Sequence, residues 1–207
     1  MKTLVKRMQE LKDSRIKYTI SSKMKEFKNN GQDNKTLFSE LCFCILTANF
    51  NAERSIKIQN KLKNKFSSFS EQVLAEKLKE NGHRFPNARA KYICSCRIYK
   101  NNLKEIINSF SEGKKAREWL LKNIMGMGMK ESSHFLRNVG FTDVAIIDFH
   151  IIDILVKSSV IERPKILSKQ KYLEIEKNLE KMALKLNLNL GELDLYLWYL
   201  ETGKILK

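Results

Sequence analysis

The chain has 207 residues, of which 43% are hydrophobic and 30% are charged, a balance typical of a folded globular protein rather than a disordered one. Lysine and arginine total 39 against 23 acidic residues, a formal charge of +16. This excess predicts attraction to a polyanion, with nucleic acid first and an anionic membrane surface second. No run of about 18 uncharged apolar residues occurs, which excludes a transmembrane helix. The first residues lack the apolar core of a signal peptide, so we expect a cytoplasmic protein.

Turn signals are too sparse for a protein built of strands, since the chain has two prolines and eight glycines. Apolar residues recur instead at helical spacing, in stripes that begin at Leu4 and Ile16. An almost wholly apolar helix over residues 37–46 is expected at the centre of the fold. We therefore predict an all-α protein in which residues 1–207 form a single domain.

A basic helix is predicted after the central one, with four lysines on its exterior: Lys57, Lys61, Lys63 and Lys65. Further helices are predicted over residues 71–81, 87–99, 101–110, 115–122, 130–138, 149–158, 168–187 and 190–202. The sequence contains no internal repeat, low-complexity tract or flexible linker. Two lobes, if present, would therefore share buried helices and could not be separated by cutting a linker.

Four cysteines occur as two pairs, Cys42 with Cys44 and Cys94 with Cys96. The members of each pair are two residues apart, so on a helix they point to different faces. That is poor geometry for a shared metal and unlike the spacing of zinc sites. We interpret the four side chains as buried, reduced, structural thiols.

The segment Leu120–Glu131 is typical of a helix, a tight turn and a second helix. Gly126 and Gly128 allow a sharp turn and the close approach of a ligand. Amide groups at the start of the second helix would favour a phosphate. Two glycines between helices are also common in ordinary turns, so the pattern alone leaves both interpretations open. The whole hairpin is predicted over residues 120–138.

Asp148 interrupts the apolar run Ala145–Ile152, eighteen residues after Lys130. Aspartate is a preferred N-cap, which predicts that the next helix starts here. A carboxylate at a helix start has a fixed position and is kept ionised by backbone amides. A structural cap and a functional carboxylate are therefore compatible roles for this residue, in a loop over residues 140–150.

The hairpin, Lys130 and Asp148 together resemble the helix-hairpin-helix DNA glycosylase superfamily. The blocks at residues 41–50, 82–85, 133–138 and 193–200, with a terminal Lys207, resemble the archaeal-type (type 2) 8-oxoguanine DNA glycosylase/AP lyases. The hairpin alone is specific only to the superfamily, whereas its combination with the last block is specific to the family. The resemblance implies two helical lobes with the active site in the cleft between them.

The resemblance implies an enzyme of base-excision repair that flips 8-oxoguanine out of DNA, removes it and cleaves the abasic strand by β-elimination. Lys130 would be the amine nucleophile that forms a Schiff base with the sugar. Asp148 would stabilise the positive charge that develops on the sugar as the base leaves.

The same resemblance implies contacts to the DNA backbone. The amides of Gly126, Gly128 and Glu131 would hold a phosphate beside the lesion. His150 would be a further phosphate contact.

The resemblance places Phe85 and Trp198 at the pocket for the flipped base, and Lys207 where it helps distinguish 8-oxoguanine from guanine. Asn49 matches the position that fills the gap left by the flipped base. Arg54 matches a position that contacts the opposite strand or the DNA backbone. Residue type alone favours core positions for the two aromatic residues and a frayed end for Lys207. Asn49 and Arg54 could equally be a turn residue and a surface charge.

Two positions depart from the family pattern. Phe149 stands where a basic residue is expected, and Arg54–Ser55 stands where relatives often carry glycines. No cysteine follows Cys96, so the four-cysteine motif of some relatives is absent and no iron–sulfur cluster is expected. The resemblance implies no cofactor and no metal bound by side chains. The hairpin backbone carbonyls are the one candidate site for a monovalent cation.

The expected partner is double-stranded DNA containing 8-oxoguanine, bound by a monomer that is nucleoid-associated and does not bind a membrane. One alternative is a glycosylase for another base, such as adenine or an oxidised pyrimidine. Another is a non-catalytic helix-hairpin-helix DNA-binding module, and a more remote one is a basic scaffold protein. The module explains the charge and the hairpin equally well. It does not explain a lysine and an aspartate at both catalytic positions.

Overall fold

The computed structural model describes residues 2–207, with the backbone but not the side chain of Lys2. These residues form α-helices and short 3₁₀ turns, with no strand among them, which confirms the all-α prediction. The helices are α1 (Lys2–Lys12), α2 (Ile16–Asn30), α3 (Asn34–Thr47), α4 (Ala52–Leu62), α5 (Glu71–Glu80), α6 (Pro86–Cys96), α7 (Leu103–Asn108), α8 (Gly113–Asn123), α9 (Met129–Asn138), α10 (Phe149–Lys157), α11 (Lys169–Leu186) and α12 (Leu190–Thr202). The 3₁₀ turns Lys63–Ser67 and Arg97–Tyr99 follow α4 and α6.

The predicted basic helix ends earlier than expected. Helix α4 stops at Leu62 because Lys63 has a φ of 43°, which an α-helix cannot continue. Lys63 and Lys65 therefore lie on a 3₁₀ turn and not on the exterior of a helix. The helix predicted over residues 87–99 likewise ends at Cys96 and tightens into the second 3₁₀ turn.

Two hydrophobic cores divide the fold into two lobes. The first core draws its side chains from residues 37–144, on helices α3–α9. The second combines α1 and α2 with the segment after residue 144 and with α10–α12. Since the second lobe is assembled from both ends of the described chain, the lobes cannot be separated by cutting one linker.

Helix α3 is the centre of the first lobe. Ten of its 14 residues are buried, and Asp33 caps its start by accepting a hydrogen bond from the Thr36 amide. Helices α4, α6, α7 and α9 all pack against it, which agrees with the apolar helix predicted at the centre. None of the described helices is both long and apolar enough to cross a membrane.

Truncation of Leu41 to alanine tests the central role of α3. Leu41 is fully buried, so the Leu41→Ala variant should lose about 2–5 kcal/mol of unfolding free energy through lost burial and a residual cavity. Urea unfolding measures this loss. The matched control is Leu184→Ala, at a leucine that is 80% exposed and should change stability little. Equal losses in the two variants would contradict the assignment of the core.

Candidate active site

The hairpin turn lies between α8, which ends at Asn123, and α9, which begins at Met129. Gly126 has a φ of +84°, and a Cβ there would lie 2.3 Å from a ring carbon of Tyr92. Glycine is therefore required at this position both by the backbone conformation and by the packing. Gly128 precedes α9 with no side-chain cap, so the first amides of α9 have no acceptor within the helix.

Lys130 lies in the first turn of α9, with its side chain 24% exposed. Its Nζ lies 3.2 Å from Oε1 of Glu131, an ion pair that the sequence did not predict. For Glu131, the family resemblance implies a role for the backbone amide and none for the side chain. The carboxylate gives the ammonium group a partner while leaving it partly open to solvent.

Asp148 caps α10, as predicted. Its Oδ1 accepts a hydrogen bond of 3.0 Å from the Ile151 amide. Val144–Ile147, the segment that leads to this cap, is buried and belongs to no regular element. The cap fixes the position of the Asp148 carboxylate at the start of a helix.

Asp194 on α12 is a buried carboxyl group that the sequence analysis did not assign to the site. Burial raises its pKa from an ordinary value of 3.8 to about 6, despite the opposing charge of Arg137. The Asp148 carboxylate raises this pKa further, and Lys130 lowers it. Nη1 of Arg137 lies 3.5 Å from Oδ2 of Asp194. The charges of Lys130 and Asp148 therefore both act on this one carboxyl group.

The two predicted pocket aromatics lie in different lobes. Phe85 precedes α6 and is 36% exposed, with the guanidinium of Arg89 5.5 Å from its ring centre. Trp198 lies on α12, where its Nε1 is buried without a hydrogen-bond partner among the described residues. The structure records no ring contact between Phe85 and Trp198 in the described part of the chain.

The predicted phosphate contact His150 lies beside Trp198, edge to face at 4.7 Å between ring centres. The His150 ring also contacts Phe149, 3.9 Å away between ring centres. Phe149 is 65% exposed, although a basic residue was expected there. An aromatic surface therefore replaces a positive charge next to Asp148.

Lys207 is held at the site by buried polar groups. Its Nζ donates to Oε1 of Glu40 at 2.6 Å and to Oε1 of Gln59 at 2.5 Å. The ammonium also lies 4.6 Å from the centre of the Phe43 ring. Oε2 of Glu40 accepts a further hydrogen bond from Nδ2 of Asn138. Lys207 is thus an anchored side chain, and the alternative of a frayed end is wrong.

His134 on α9 is buried, and burial holds the pKa of its imidazole well below the ordinary range. The nearby backbone of Lys207 opposes this shift of the pKa. The His134 ring also contacts Phe43 edge to face at 5.5 Å. The side chain of Lys207 therefore contacts α3 and α4, and its backbone lies beside α9.

Asn49, the predicted gap-filling residue, lies in a turn that is held by hydrogen bonds from His83 and Arg89. Asn49 is exposed and has a φ of 55°. Nδ1 of His83 accepts from the Phe85 amide, so Nε2 carries the proton that it donates to the Leu46 carbonyl at 3.0 Å. Nη2 of Arg89 donates to the Ala48 carbonyl at 2.6 Å. These bonds hold Asn49 at the tip of a fixed turn.

Arg54 also contacts this segment. Its Nη2 donates to the Gly82 carbonyl at 3.0 Å, and its guanidinium lies 5.2 Å from the centre of the Phe50 ring. It is therefore fixed beside the turn that carries Asn49, and is more than an isolated surface charge.

The cysteines are free thiols. Cys42, Cys44 and Cys96 are buried, whereas Cys94 is half-buried. Burial raises the pKa of Cys42 and of Cys44, which suits inert structural thiols. Among the described residues, no group of three or more histidine, cysteine or acidic side chains is arranged to hold a metal ion.

The protein has two helical lobes and a basic composition, with a lysine at the start of α9 and an aspartate at the start of α10. This combination is typical of a helix-hairpin-helix DNA glycosylase. Residues 20–188 match the family described as 8-oxoguanine DNA glycosylase. Since the match covers more than half of the chain, the chain belongs to this family, as the sequence predicted.

Similarity to proteins of this family extends over nearly the whole chain. The 8-oxoguanine DNA glycosylase/AP lyase of Methanocaldococcus jannaschii is 52% identical over 206 residues, covering 99% of each chain. The protein of the same name from Korarchaeum cryptofilum is 49% identical over 205 residues, covering 99% of this chain and 98% of that protein.

Solved structures share the fold. The M. jannaschii 8-oxoguanine glycosylase/lyase in complex with 15mer DNA containing 8-oxoguanine has a TM-score of 0.95 and covers 99% of this chain and 100% of that chain, at 52% identity. The 8-oxoguanine DNA glycosylase of Thermotoga maritima has a TM-score of 0.92 at 39% identity, covering 100% of this chain and 99% of that chain. These similarities confirm the predicted helix-hairpin-helix glycosylase fold.

The raised pKa of Asp194 predicts a pH-dependent contribution to stability. The folded protein binds this proton more tightly than the unfolded chain, so the contribution is full below pH 3.8 and is lost as the pH rises through about 6. The Asp194→Asn variant has no such proton to lose. As the pH rises through that window, its free energy of unfolding should increase relative to that of the wild type by about 1.4 kcal/mol for each pH unit.

Urea unfolding of the wild type and of Asp194→Asn across this pH range measures the difference between their free energies of unfolding. Asp153→Asn is the control, because Arg163 lowers the pKa of Asp153 by a hydrogen bond, and this variant should not show the gain. A difference between wild type and Asp194→Asn that stays constant with pH would contradict the prediction.

Proposed function

We propose that this chain acts as a bifunctional 8-oxoguanine DNA glycosylase/AP lyase of base-excision repair through Lys130 and Asp148. The observation that carries the proposal is the placement of these two side chains. Each lies at the start of a helix, and both act electrostatically on the buried Asp194. The family to which the chain belongs supplies the reaction, and the geometry supports the roles of the residues.

In the proposed reaction, the unprotonated Nζ of Lys130 attacks C1′ of the damaged nucleotide. The glycosidic bond breaks, and the base leaves with the bonding electrons and takes up a proton. The sugar ring opens to a Schiff base with the lysine. Loss of a proton from C2′ then expels the 3′ phosphate by β-elimination. The partial exposure of Lys130 supports access of its amine to a bound nucleotide.

Asp148 is proposed to stabilise the positive charge that develops on the sugar as the base leaves. Such a carboxylate must be held in position before the reaction. Its hydrogen bond from the Ile151 amide supports this requirement. In this proposal Asp148 also orients the Lys130 amine.

A phosphate of the damaged strand is proposed to bind at the hairpin. Gly126 and Gly128 are exposed, and the amide of Glu131 lies in the first turn of α9. These backbone amides suit a phosphate at the N-terminus of this helix. His150 would contact a further phosphate beside Trp198. Double-stranded DNA containing 8-oxoguanine is accordingly the proposed substrate, bound by a monomer.

The flipped base is proposed to bind between the lobes, with Phe85 and Trp198 as its apolar surfaces. The unpartnered Nε1 of Trp198 supports a polar contact made only when a ligand is bound, because a buried donor usually has an acceptor. Lys207 would help to distinguish 8-oxoguanine from guanine, a role that its anchored position supports.

Asn49 is proposed to fill the gap that the flipped base leaves in the duplex, with Arg54 against the opposite strand or the backbone. Both residues lie in a turn held by hydrogen bonds from His83 and Arg89 to the turn carbonyls and from Arg54 to the Gly82 carbonyl. A turn fixed before DNA binds suits insertion into a base stack, because little conformational freedom remains to be lost.

The proposed chemistry needs no cofactor, since an amine and a carboxylate supply every step. A monovalent cation is proposed only at the hairpin. The carbonyl oxygens of Met125 and Gly126 accept no hydrogen bond in the part of the chain that the structure describes, which supports them as ligands. The acting enzyme would be found with the chromosomal DNA of its cell.

Covalent trapping tests the role of Lys130. With borohydride and duplex DNA carrying one 8-oxoguanine, the wild type should form a protein–DNA adduct, because reduction makes the Schiff base permanent. Lys130→Gln should form none, since it lacks the amine. Denaturing gel electrophoresis detects the adduct.

Lys181→Gln is the matched control, because it removes the same charge at an exposed position on α11 and should trap as the wild type does. No adduct and no base release by the wild type, despite tight binding, would overturn the enzyme proposal for this lesion. DNA with other damaged bases would then separate another base specificity from a binding module.

Binding to DNA should weaken steeply with salt, because contacts between basic side chains and phosphates release counterions. About four such contacts predict a loss of roughly 100-fold in affinity between about 50 and 200 mM salt. Fluorescence anisotropy with a labelled duplex measures the dissociation constant. An affinity that does not change across this range would contradict binding through the +16 charge.

A further inference from the structure

The segment before Asp148 is buried but belongs to no helix or sheet. Its backbone N–H and C=O groups therefore lack the hydrogen bonds of regular secondary structure. The four residues Val144–Ile147 are between 1% and 7% exposed, and none is assigned to a regular element. Buried backbone groups need hydrogen-bond partners. In this segment the partners come from side chains on α11.

One tyrosine hydroxyl supports the segment at two points. The Tyr172 hydroxyl donates to the Ala145 carbonyl at 2.7 Å and accepts from the Ile147 amide at 3.1 Å. Burial raises the pKa of Tyr172, which keeps the hydroxyl protonated and able to make both bonds. A single hydroxyl therefore makes two backbone hydrogen bonds that a neighbouring strand would otherwise make. The second of these bonds is to the residue directly before Asp148.

A buried ion pair, with its carboxylate also on α11, holds the same segment. Glu176 accepts from the Ala145 amide at 2.8 Å. It also accepts two hydrogen bonds of 2.7 Å from Arg117 on α8, the first helix of the hairpin. Both charged side chains are at most 2% exposed. The segment that carries Asp148 is thus tied to the hairpin by a bidentate ion pair.

The second helix of the hairpin joins this network through Ser133. Nη1 of Arg117 donates to the Ser133 hydroxyl at 3.1 Å, and the Tyr172 hydroxyl lies 3.4 Å from it. Ser133 lies three residues after Lys130, on the same side of α9. Side-chain contacts therefore run continuously from the helix that carries Lys130 to the residue before Asp148.

We infer that Tyr172, held by the Arg117–Glu176 ion pair, is a positioning residue that sets the Asp148 carboxylate relative to the Lys130 amine. The inference rests on the proposed roles of these two side chains. Tyr172 touches neither of them and acts through the backbone of residues 145–147. The same bonds join α8 and α9 to the Asp148 segment.

The Tyr172→Phe variant removes one oxygen and keeps the ring. Its single-turnover rate of 8-oxoguanine excision should fall roughly 10- to 100-fold, because a displacement of about 1 Å in reacting groups has effects of that size. Its dissociation constant for the lesion duplex should stay within about twofold of the wild type, since the hairpin surface is unchanged. Both quantities are measured at a temperature where circular dichroism shows every protein fully folded.

Tyr196→Phe is the matched control. Tyr196 is also buried, at 3% exposure, but its hydroxyl has no hydrogen bond to the described residues. This variant should excise at the wild-type rate. If Tyr172→Phe does not fold, Ser133→Ala replaces it, because it removes the hydroxyl that joins α9 to both Arg117 and Tyr172.

A double-variant cycle with Asp148→Asn separates positioning from general stability. If Tyr172 acts through Asp148, adding Tyr172→Phe to Asp148→Asn should slow excision no further, since side chains that act as a unit are not additive. Independent, multiplying losses would overturn the inference. A Tyr172→Phe protein with a lower melting temperature and the wild-type rate would also overturn it.

These outcomes can be told apart from failure of the proposed function. A wild-type protein that neither excises 8-oxoguanine nor forms a borohydride adduct overturns the proposed function and, with it, the positioning role. A wild type that does both, beside a Tyr172→Phe variant of equal rate, overturns the positioning role alone.

Discussion

The buried ion pair between Arg117 and Glu176 is the contact on which the arrangement of the site depends. Two charges at most 2% exposed cost a large desolvation free energy, which only close geometry and further hydrogen bonds can offset. Both are present, since the pair is bidentate and Glu176 also accepts from the Ala145 amide. Loss of one partner would leave a buried charge unpaired. The pair therefore holds the hairpin and the Asp148 segment in one relative position.

The chemistry that the family performs needs an amine and a carboxylate held close to each other in a basic surface. The protein places both at the starts of helices, where exposed amides attract anions. In the proposed reaction, the lysine and the carboxylate meet a DNA phosphate between the two lobes. Asp194 lies buried near the charges of Lys130 and Asp148. Its raised pKa shows that burial disfavours the charged form of this carboxyl group.

Much of this could be predicted from sequence because the signals are local. Helix α12 spans Leu190–Thr202 as its apolar spacing predicts, and the N-cap role of Asp148 follows from one aspartate before an apolar run. Lys63 shows where local signals fail. Its side chain is a good helix former, and only its left-handed backbone conformation ends α4 there.

The sequence by itself determined the helical class, the hairpin and the basic character. Through family resemblance it also indicated Lys130 and Asp148 as the catalytic candidates. Each depends on residues close together in the chain or on a pattern shared with relatives. Only the tertiary structure decided the contacts of Tyr172, Glu176 and Asp194, whose partners lie 25 to 59 residues away. A buried polar residue looks in sequence like an exposed one, because burial and partner are properties of the packed fold.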